Sequence, residues 1–411
     1  MKSVTRWLVL ASSVLLVHVH AATPGRPLIS AAGKAALSQY LSAAVDRGDV
    51  PGVVTLVVGR EGVLFEGAAG KLDVGRQVDM PVDAVFRIAS MTKPITSVAV
   101  MMLVEAGKLG LDDPVSKYLP EFENRQVISR FNEGDGTYET RPAKRAITIR
   151  HLITHTSGLG YAFSNPIVAR LVQATQKNET ELPLLHDPGD KWTYSASTRV
   201  LGQVVEKISS QPLDVFLRNR IFEPLKMADT SYVVAPGKLP RVVTVHRRVD
   251  GKLVEQPNTP VQETPVRGDG GLYSTARDYG TFLQVLLNGG SLQTFRLLGE
   301  RSVRMMGENH IGAVVVDDQP AADPGRTRPF PLGAGRDKFG LGFQIAARDE
   351  RSVRLRSPGS LSWAGINNTH FWIDPNRRVA VVVLMQVLPF YDDACIRVLR
   401  GFEELVYRHL G

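Results

Sequence analysis

Ser90 and Lys93 stand three positions apart in FRIASMTKPITSVAVMML, residues 86–103. On a helix such positions share a face, with Cβ atoms about 5–6 Å apart, so the lysine amine can reach the serine oxygen. The pair is then a nucleophile with its own base, provided the lysine is neutral. Burial and nearby cations both lower an ammonium pKa. MTKPITSVAVMML is largely apolar around Lys93, an awkward place for a solvated amine. A helix start adds free N–H groups and a positive dipole end, both suited to a developing oxyanion. SxxK is a short pattern, and by itself it also fits a solvated Ser-Lys pair.

A Ser-Lys pair needs a second polar group to carry a proton to the leaving group. Tyr194 is the candidate, in DPGDKWTYSASTRVLGQVVEKIS, on a loop after Pro188-Gly189 and just before a helical stripe. Its plain alternative is a buried tyrosine anchoring that loop. Competing chemistries have little support. There is no GxSxG, HExxH or CxxC. The glycines of GDGGLYSTARDYG follow no clear strand within a βαβ unit, so no dinucleotide cofactor is expected. His151 and His155 are spaced for one helix face but lack a third ligand nearby, so no metal is expected either.

The elements that must position these residues are legible in outline. Ile95, Val98, Met102 and Ala106 form a helical stripe that Gly107 ends. Pro94 falls in the first turn and disfavours helical angles at Lys93, so an irregular start is expected. A helical pattern covers Ser30–Val45. Strands follow at Val53–Val58 and Val63–Glu66 around Arg60, Glu61 and Gly62. Near the other end, strands Phe371–Ile373 and Val379–Met385 flank Asp374-Pro375-Asn376, and a last helix runs from about Asp392 to Arg408. The simplest assembly is α/β: one antiparallel sheet built from both ends and flanked by the N- and C-terminal helices. The α/β part then covers about 22–107 and 291–411, with a mostly helical inserted subdomain over 108–290. Asp250-Gly251 predicts a hairpin, and the Pro- and Gly-rich stretch within 310–338 predicts a long surface loop.

Length and composition agree with a soluble globular protein of one large or two intimately joined domains: 411 residues, 43% hydrophobic and 22% charged. The formal charge is +8 with scattered basic residues, and His246-Arg247-Arg248 is too short a cluster to argue for nucleic acid. Lys2 and Arg6, then an apolar run from Trp7 to Val19, then Ala21 and Ala22, have the layout of a secretory signal peptide over 1–21. The run is too short for a comfortable membrane span, so an exported, periplasmic or secreted protein is expected. The lone Cys395 lies in a helical pattern and reads as a packing residue.

Taken together and in order, FRIASMTKPITSVAVMMLVEAGKLGLDDPVSKYLPEF, HLITHTSGL, PGDKWTYSASTRVLGQVVE and GGLYSTARDYGTFLQVLLNGG resemble serine β-lactamase-like hydrolases. The branch resembled most is the family VIII carboxylesterases, relatives of class C β-lactamases and DD-peptidases, which share the SxxK signature. The resemblance implies that Ser90 attacks the acyl carbon, that Lys93 takes its proton, and that Tyr194 relays a proton to the leaving group. It implies a third motif on a strand lining the cleft, Ser362-Trp363-Ala364-Gly365. The N–H groups of Ser90 and Ile366 would form the oxyanion hole. Two departures matter. Ala196 stands where β-lactamases carry an asparagine, and Trp363 stands where they carry a lysine that holds the substrate carboxylate. Trp363, Ala364 and Gly365 would instead offer an apolar substrate wall, which favours neutral short-chain esters over anionic lactams. The alternatives are a β-lactamase or DD-peptidase-like amide hydrolase, an acyltransferase using the same acyl-enzyme, and a non-catalytic binding protein on this scaffold.

Overall fold

The computed structural model describes residues 27–257, 265–348 and 355–411; the expected signal peptide, 1–21, lies outside the described residues. Helix α1, Ala31–Asp46, begins at Ser30, whose hydroxyl accepts the Gly33 N–H at 3.1 Å. The chain then forms β1, Gly52–Gly59, and β2, Gly62–Asp73, in a hairpin. The short β3, Val78–Asp79, extends it. At the other end lie β4, Lys338–Phe339; β5, Gln344–Ile345; β6, Leu361–Gly365; β7, Thr369–Asp374; and β8, Val379–Leu384. Helix α5, Asp393–His409, closes the fold, and an Asp392 carboxylate oxygen accepts the Cys395 N–H at its start.

The two ends meet in one eight-stranded sheet, ordered β4-β5-β6-β7-β8-β1-β2-β3. Every described pairing in it is antiparallel, and Val54 opposes Leu384 across the central β1–β8 pair. The sequence expectation of an α/β fold with an antiparallel sheet flanked by terminal helices holds. One face, with Val57, Trp372 and Val381, buries Leu37 and Leu41 of α1 and Val398 and Phe402 of α5. The termini are tied as well: Ile29 bridges Leu410, and Gly411 N–H donates to Leu28 O at 3.0 Å.

The other face packs on α2, Thr92–Glu105, and α4, Ala276–Leu287. In α4, a Cβ at Gly280 would lie 2.2 Å from a Leu56 methyl, so glycine lets this helix touch β1. Helix α4 sits on the sheet although its residues fall within the span read as the helical part. Helix α2 also differs from the single stripe expected: every residue from Thr92 to Met101 is buried, because the helix is covered by the sheet side and by α3, Ser197–Ser209. Its polar residues are satisfied by the loop beside it. Thr96 Oγ1 donates to Gly268 O at 2.8 Å, and Leu272 N–H donates to Thr92 Oγ1.

The middle of the chain holds α3, shorter helices and two outlying hairpins. His246–Val249 with Lys252–Glu255 is the one that Asp250-Gly251 predicts. Gln126–Phe131 with Tyr138–Pro142 is unpredicted; it is largely exposed and lacks apolar alternation. Strand β2 runs on past Glu66 to Asp73 through Gly67-Ala68-Ala69-Gly70, small residues that carry no strand signal yet keep register with Gly52–Thr55. Between Gly307 and Asp337 the chain is a long irregular loop, cross-linked by the Gln319 and Phe330 backbones.

Candidate active site

Ser90 sits in a 3-10 turn, Ala89–Met91, that leads straight into α2. Ala89 holds a left-handed φ of 46°, a strained conformation for a side chain with a Cβ. Pro94 is the third residue of α2, where its missing N–H costs little. Lys93 is 2% exposed; its Nζ lies 3.1 Å from Ser90 Oγ and donates to the Asp269 carbonyl oxygen at 2.7 Å. Burial is the main cause that brings its pKa down to about 7. The Asp269 carboxylate opposes this, while Arg199 and Arg267 reinforce it.

Asp269 reaches Lys93 because Phe86–Arg87, which leads into Ser90, pairs antiparallel with Tyr273–Ser274. Its carboxylate is buried in a polar cluster. Tyr161 Oη donates to Oδ2 at 2.6 Å, and Arg199 donates to the same oxygen from Nε at 3.2 Å and Nη2 at 3.1 Å. Arg199 also holds Glu179 at 3.1 Å. Burial alone would raise the Asp269 pKa, but Lys93, Arg199, Arg267 and the tyrosine together hold it below its usual range. Asp269, Tyr161 and Arg199 were not read from the sequence. The signal was GDGG, quoted there only as a failed cofactor loop.

Tyr194 is buried just ahead of α3, with Lys93 Nζ 4.9 Å from its ring centroid. Its hydroxyl faces Ser90 and the Trp363 indole, with no well-aligned hydrogen bond to either, and burial pushes its pKa above the ordinary phenol range. The phenol is therefore neutral and holds a proton to give. The long loop fixes it from behind: the Tyr194 N–H donates to Gln319 Oε1 at 3.0 Å, and Phe330 meets its ring edge-on at 5.6 Å. Ala196, also buried, is the N-cap of α3 and offers no side-chain polar group. His155 packs its ring 5.0 Å from that of Tyr194, and burial keeps it neutral. His151 instead accepts the Thr148 N–H and caps its own short helix. Among the described residues no group of three His, Cys, Asp or Glu is placed to hold a metal ion.

Strand β6 brings the third motif. The Trp363 ring lies 5.1 Å from that of Tyr194 and 5.5 Å from that of Phe339. At Gly365 a Cβ would come within 2.3 Å of Ile88 O and 2.4 Å of Thr369 Oγ1. Only glycine lets β6 press against the turn carrying Ser90, and this sets Ile366 beside that serine. The structure thus gathers Ser90, Lys93, Tyr194, Trp363, Ala364 and Ile366 around one cleft, with Gly365 as the point of close approach.

Two cavities open on Ser90, and Phe163 and Ile366 line both. One is walled by Phe330, Leu332, Trp363, Ala364, Phe390 and Tyr391. The other is polar and includes Glu179, Arg199, Arg267, Asp269 and Arg326.

An antiparallel sheet with terminal helices on one face and a serine-bearing helix on the other is the architecture of serine β-lactamase-like proteins. The chain belongs to that family: the Beta-lactamase family matches it over residues 37–403. It is 35% identical over 362 residues to Protein Rv1367c of Mycobacterium tuberculosis, covering 84% of this chain and 88% of that one. It is 29% identical over 352 residues to Monacolin J acid methylbutanoyltransferase of Aspergillus terreus, covering 80% and 83%. Lovastatin esterase of Penicillium rubens is 29% identical over 392 residues, covering 89% and 96%. Among solved structures, a mutant of Simvastatin Synthase from Aspergillus terreus superposes with a TM-score of 0.80 at 28% identity, covering 92% of this chain and 95% of that one. The protein is therefore a member of a family of serine hydrolases and acyltransferases.

Proposed function

We propose that the protein cleaves short-chain carboxylic esters through an acyl-enzyme on Ser90. The observation that carries this reading is a buried amine, Lys93 Nζ, 3.1 Å from Ser90 Oγ with its pKa brought to about 7. Near neutral pH about half of such an amine is unprotonated. Neutral Lys93 takes the Ser90 proton as Oγ attacks the acyl carbon. The oxygen that becomes negative is held by the N–H groups of Ser90 and Ile366. Tyr194 gives its proton to the departing alkoxide and is reprotonated from the Lys93 ammonium. Water then enters, loses a proton to the same pair and releases the acid. Trp363 and Ala364 wall the apolar cavity, which suits an uncharged acyl chain, whereas a lactam hydrolase would want a cation there.

Acyl transfer to a hydroxyl compound is the second reading. A specific observation favours it: a separate polar cavity opens on the same serine and offers an acceptor its own seat. The names of the Aspergillus transferase and the Penicillium esterase support one reading each. We place the protein outside the cytoplasm on its N-terminal pattern; export from a bacterial host should leave a mature chain beginning near residue 22, read by N-terminal sequencing.

Rapid mixing with p-nitrophenyl butyrate tests the central step. A burst of one p-nitrophenol per active site, with a butyryl group on the Ser90 peptide by mass spectrometry, is expected. Ser90→Ala should lose at least about a thousandfold in rate. Unchanged turnover in that variant would overturn the assignment. Faster p-nitrophenol release on adding a hydroxy compound, with a new butyrate ester formed, would establish transfer.

A further inference from the structure

Resting on the acyl-enzyme reading of Ser90, we propose that the polar cavity seats a carboxylate on the alcohol half of the substrate, and that Arg326 selects for it. The bound partner would be a hydroxy acid, either as the leaving group of an ester or as the incoming acceptor.

The cavity is cationic by count and by pairing. Four guanidinium groups line it, Arg87, Arg199, Arg267 and Arg326, against two carboxylates, Asp269 and Glu179. Arg199 engages both carboxylates, and the two acids are further occupied by Tyr161 and by the Ala162 N–H. The remaining Asp269 oxygen, Oδ1, accepts no hydrogen bond among the described residues and faces Arg267 Nε at 3.8 Å, so both acids already lie against guanidinium groups of the cavity wall. Arg326 sits at the cavity mouth, exposed, on the long loop between Gly307 and Asp337. Its guanidinium lies 5.6 Å from the ring centroid of Phe163, the aromatic residue shared by both cavities. A ring face orients a guanidinium and leaves its charge in place, with the planar N–H fork still available. Among the described residues no carboxylate pairs with it. The backbone of Gly270 and Gly271 lines the same space, which gives a ligand room to approach.

The apolar cavity makes the contrast. Its single arginine, Arg356, is locked in two 2.8 Å bonds to Glu403, and aromatic rings cover much of the remainder. A carboxylate placed there would be desolvated without a free cation to meet it. The two cavities therefore divide one ester between them, the uncharged acyl chain on the Trp363 side and the charged alcohol half on the Arg326 side. Trp363, standing where β-lactamases carry a lysine, removes a cation from the first cavity only.

The test uses 4-butyryloxybenzoate and its neutral methyl ester, which share the acyl group. Wild-type protein should show a KM about tenfold lower for the carboxylate, as expected for a charge-assisted bidentate contact. Arg326→Gln should bring the two KM values within about twofold, and Arg326→Lys should keep part of the preference as a point charge. Comparing the ratio between variants cancels the different leaving-group chemistry. Equal KM values in the wild type, or an unchanged preference in Arg326→Gln, would overturn the proposal. Turnover of neither ester would sink the acyl-enzyme reading alone. The cavity is then judged by calorimetric binding of 4-hydroxybenzoate and methyl 4-hydroxybenzoate to Ser90→Ala. Tighter, salt-sensitive binding of the carboxylate that disappears on adding Arg326→Gln supports the site, and equal binding of the two rejects it.

Discussion

At the scale of single residues, the reactivity of Ser90 depends on a balance of charges around Lys93. Burial pushes the amine toward neutrality, Asp269 pulls it back toward the ammonium, and Arg199 and Arg267 oppose that pull. The reactive form is the neutral amine, so kcat/KM for p-nitrophenyl butyrate should rise with pH through about 7 and then level. Arg199→Gln removes the cation and leaves the Asp269 carboxylate facing Lys93. The Lys93 pKa must rise, so the rising limb of the pH–rate profile should move up by about one unit or more. The variant should be slow at pH 7 and recover much of its rate by pH 9. A limb that stays in place with a uniformly lower plateau would mean that Arg199 only holds the fold. Ser90, Lys93 and Tyr194 could be named from the sequence because the motifs around them resemble one family in order; the spacing of Ser90 and Lys93 alone left a solvated pair open. The charge balance could not, because its bonds join positions 70 and 108 apart in the chain.

At the scale of elements, the site depends on how closely β6 approaches the turn before α2. Gly365→Ala would drive a Cβ into the Ile88 carbonyl at 2.3 Å, and backbone cannot swing aside as a side-chain tip can. We expect esterase activity to fall at least tenfold, with a loss of about 1–3 kcal/mol in urea unfolding. Gly280→Ala offers the control, since its clash with Leu56 lies at the α4–β1 contact, away from the cleft. That variant should lose stability while its folded fraction keeps kcat, so equal loss of kcat in both would sink the positioning argument for Gly365. The strands themselves were legible wherever apolar residues run or alternate, as in Val379–Leu384. The continuation of β2 through Gly67-Ala68-Ala69-Gly70 and the exposed hairpin at Gln126–Pro142 were not, because pairing partners rather than composition define them.

At the scale of the whole molecule, one sheet made from both ends of the chain encloses the business of the middle. Ser90 comes with the first third, Tyr194 and Asp269 with the insertion, and Trp363 with the last strands, so the cleft exists only when all three are assembled. The terminal pattern of helices and strands made that architecture legible. The packing of α4 on the sheet was not, since a helical stripe does not say which surface will cover it. The tie between Ile29 and Leu410 has a consequence for connectivity. Among the described residues the fold is closed into a ring in space, with Leu28 and Gly411 side by side. A circular permutant that joins residue 411 to residue 27 through a few glycines, and opens between Glu133 and Gly134 at the exposed hairpin tip, should fold and react as the parent does. Its burst amplitude and urea midpoint are the measurements. A permutant without a burst would show that the order in which the segments leave the ribosome, and not their contacts alone, builds the cleft.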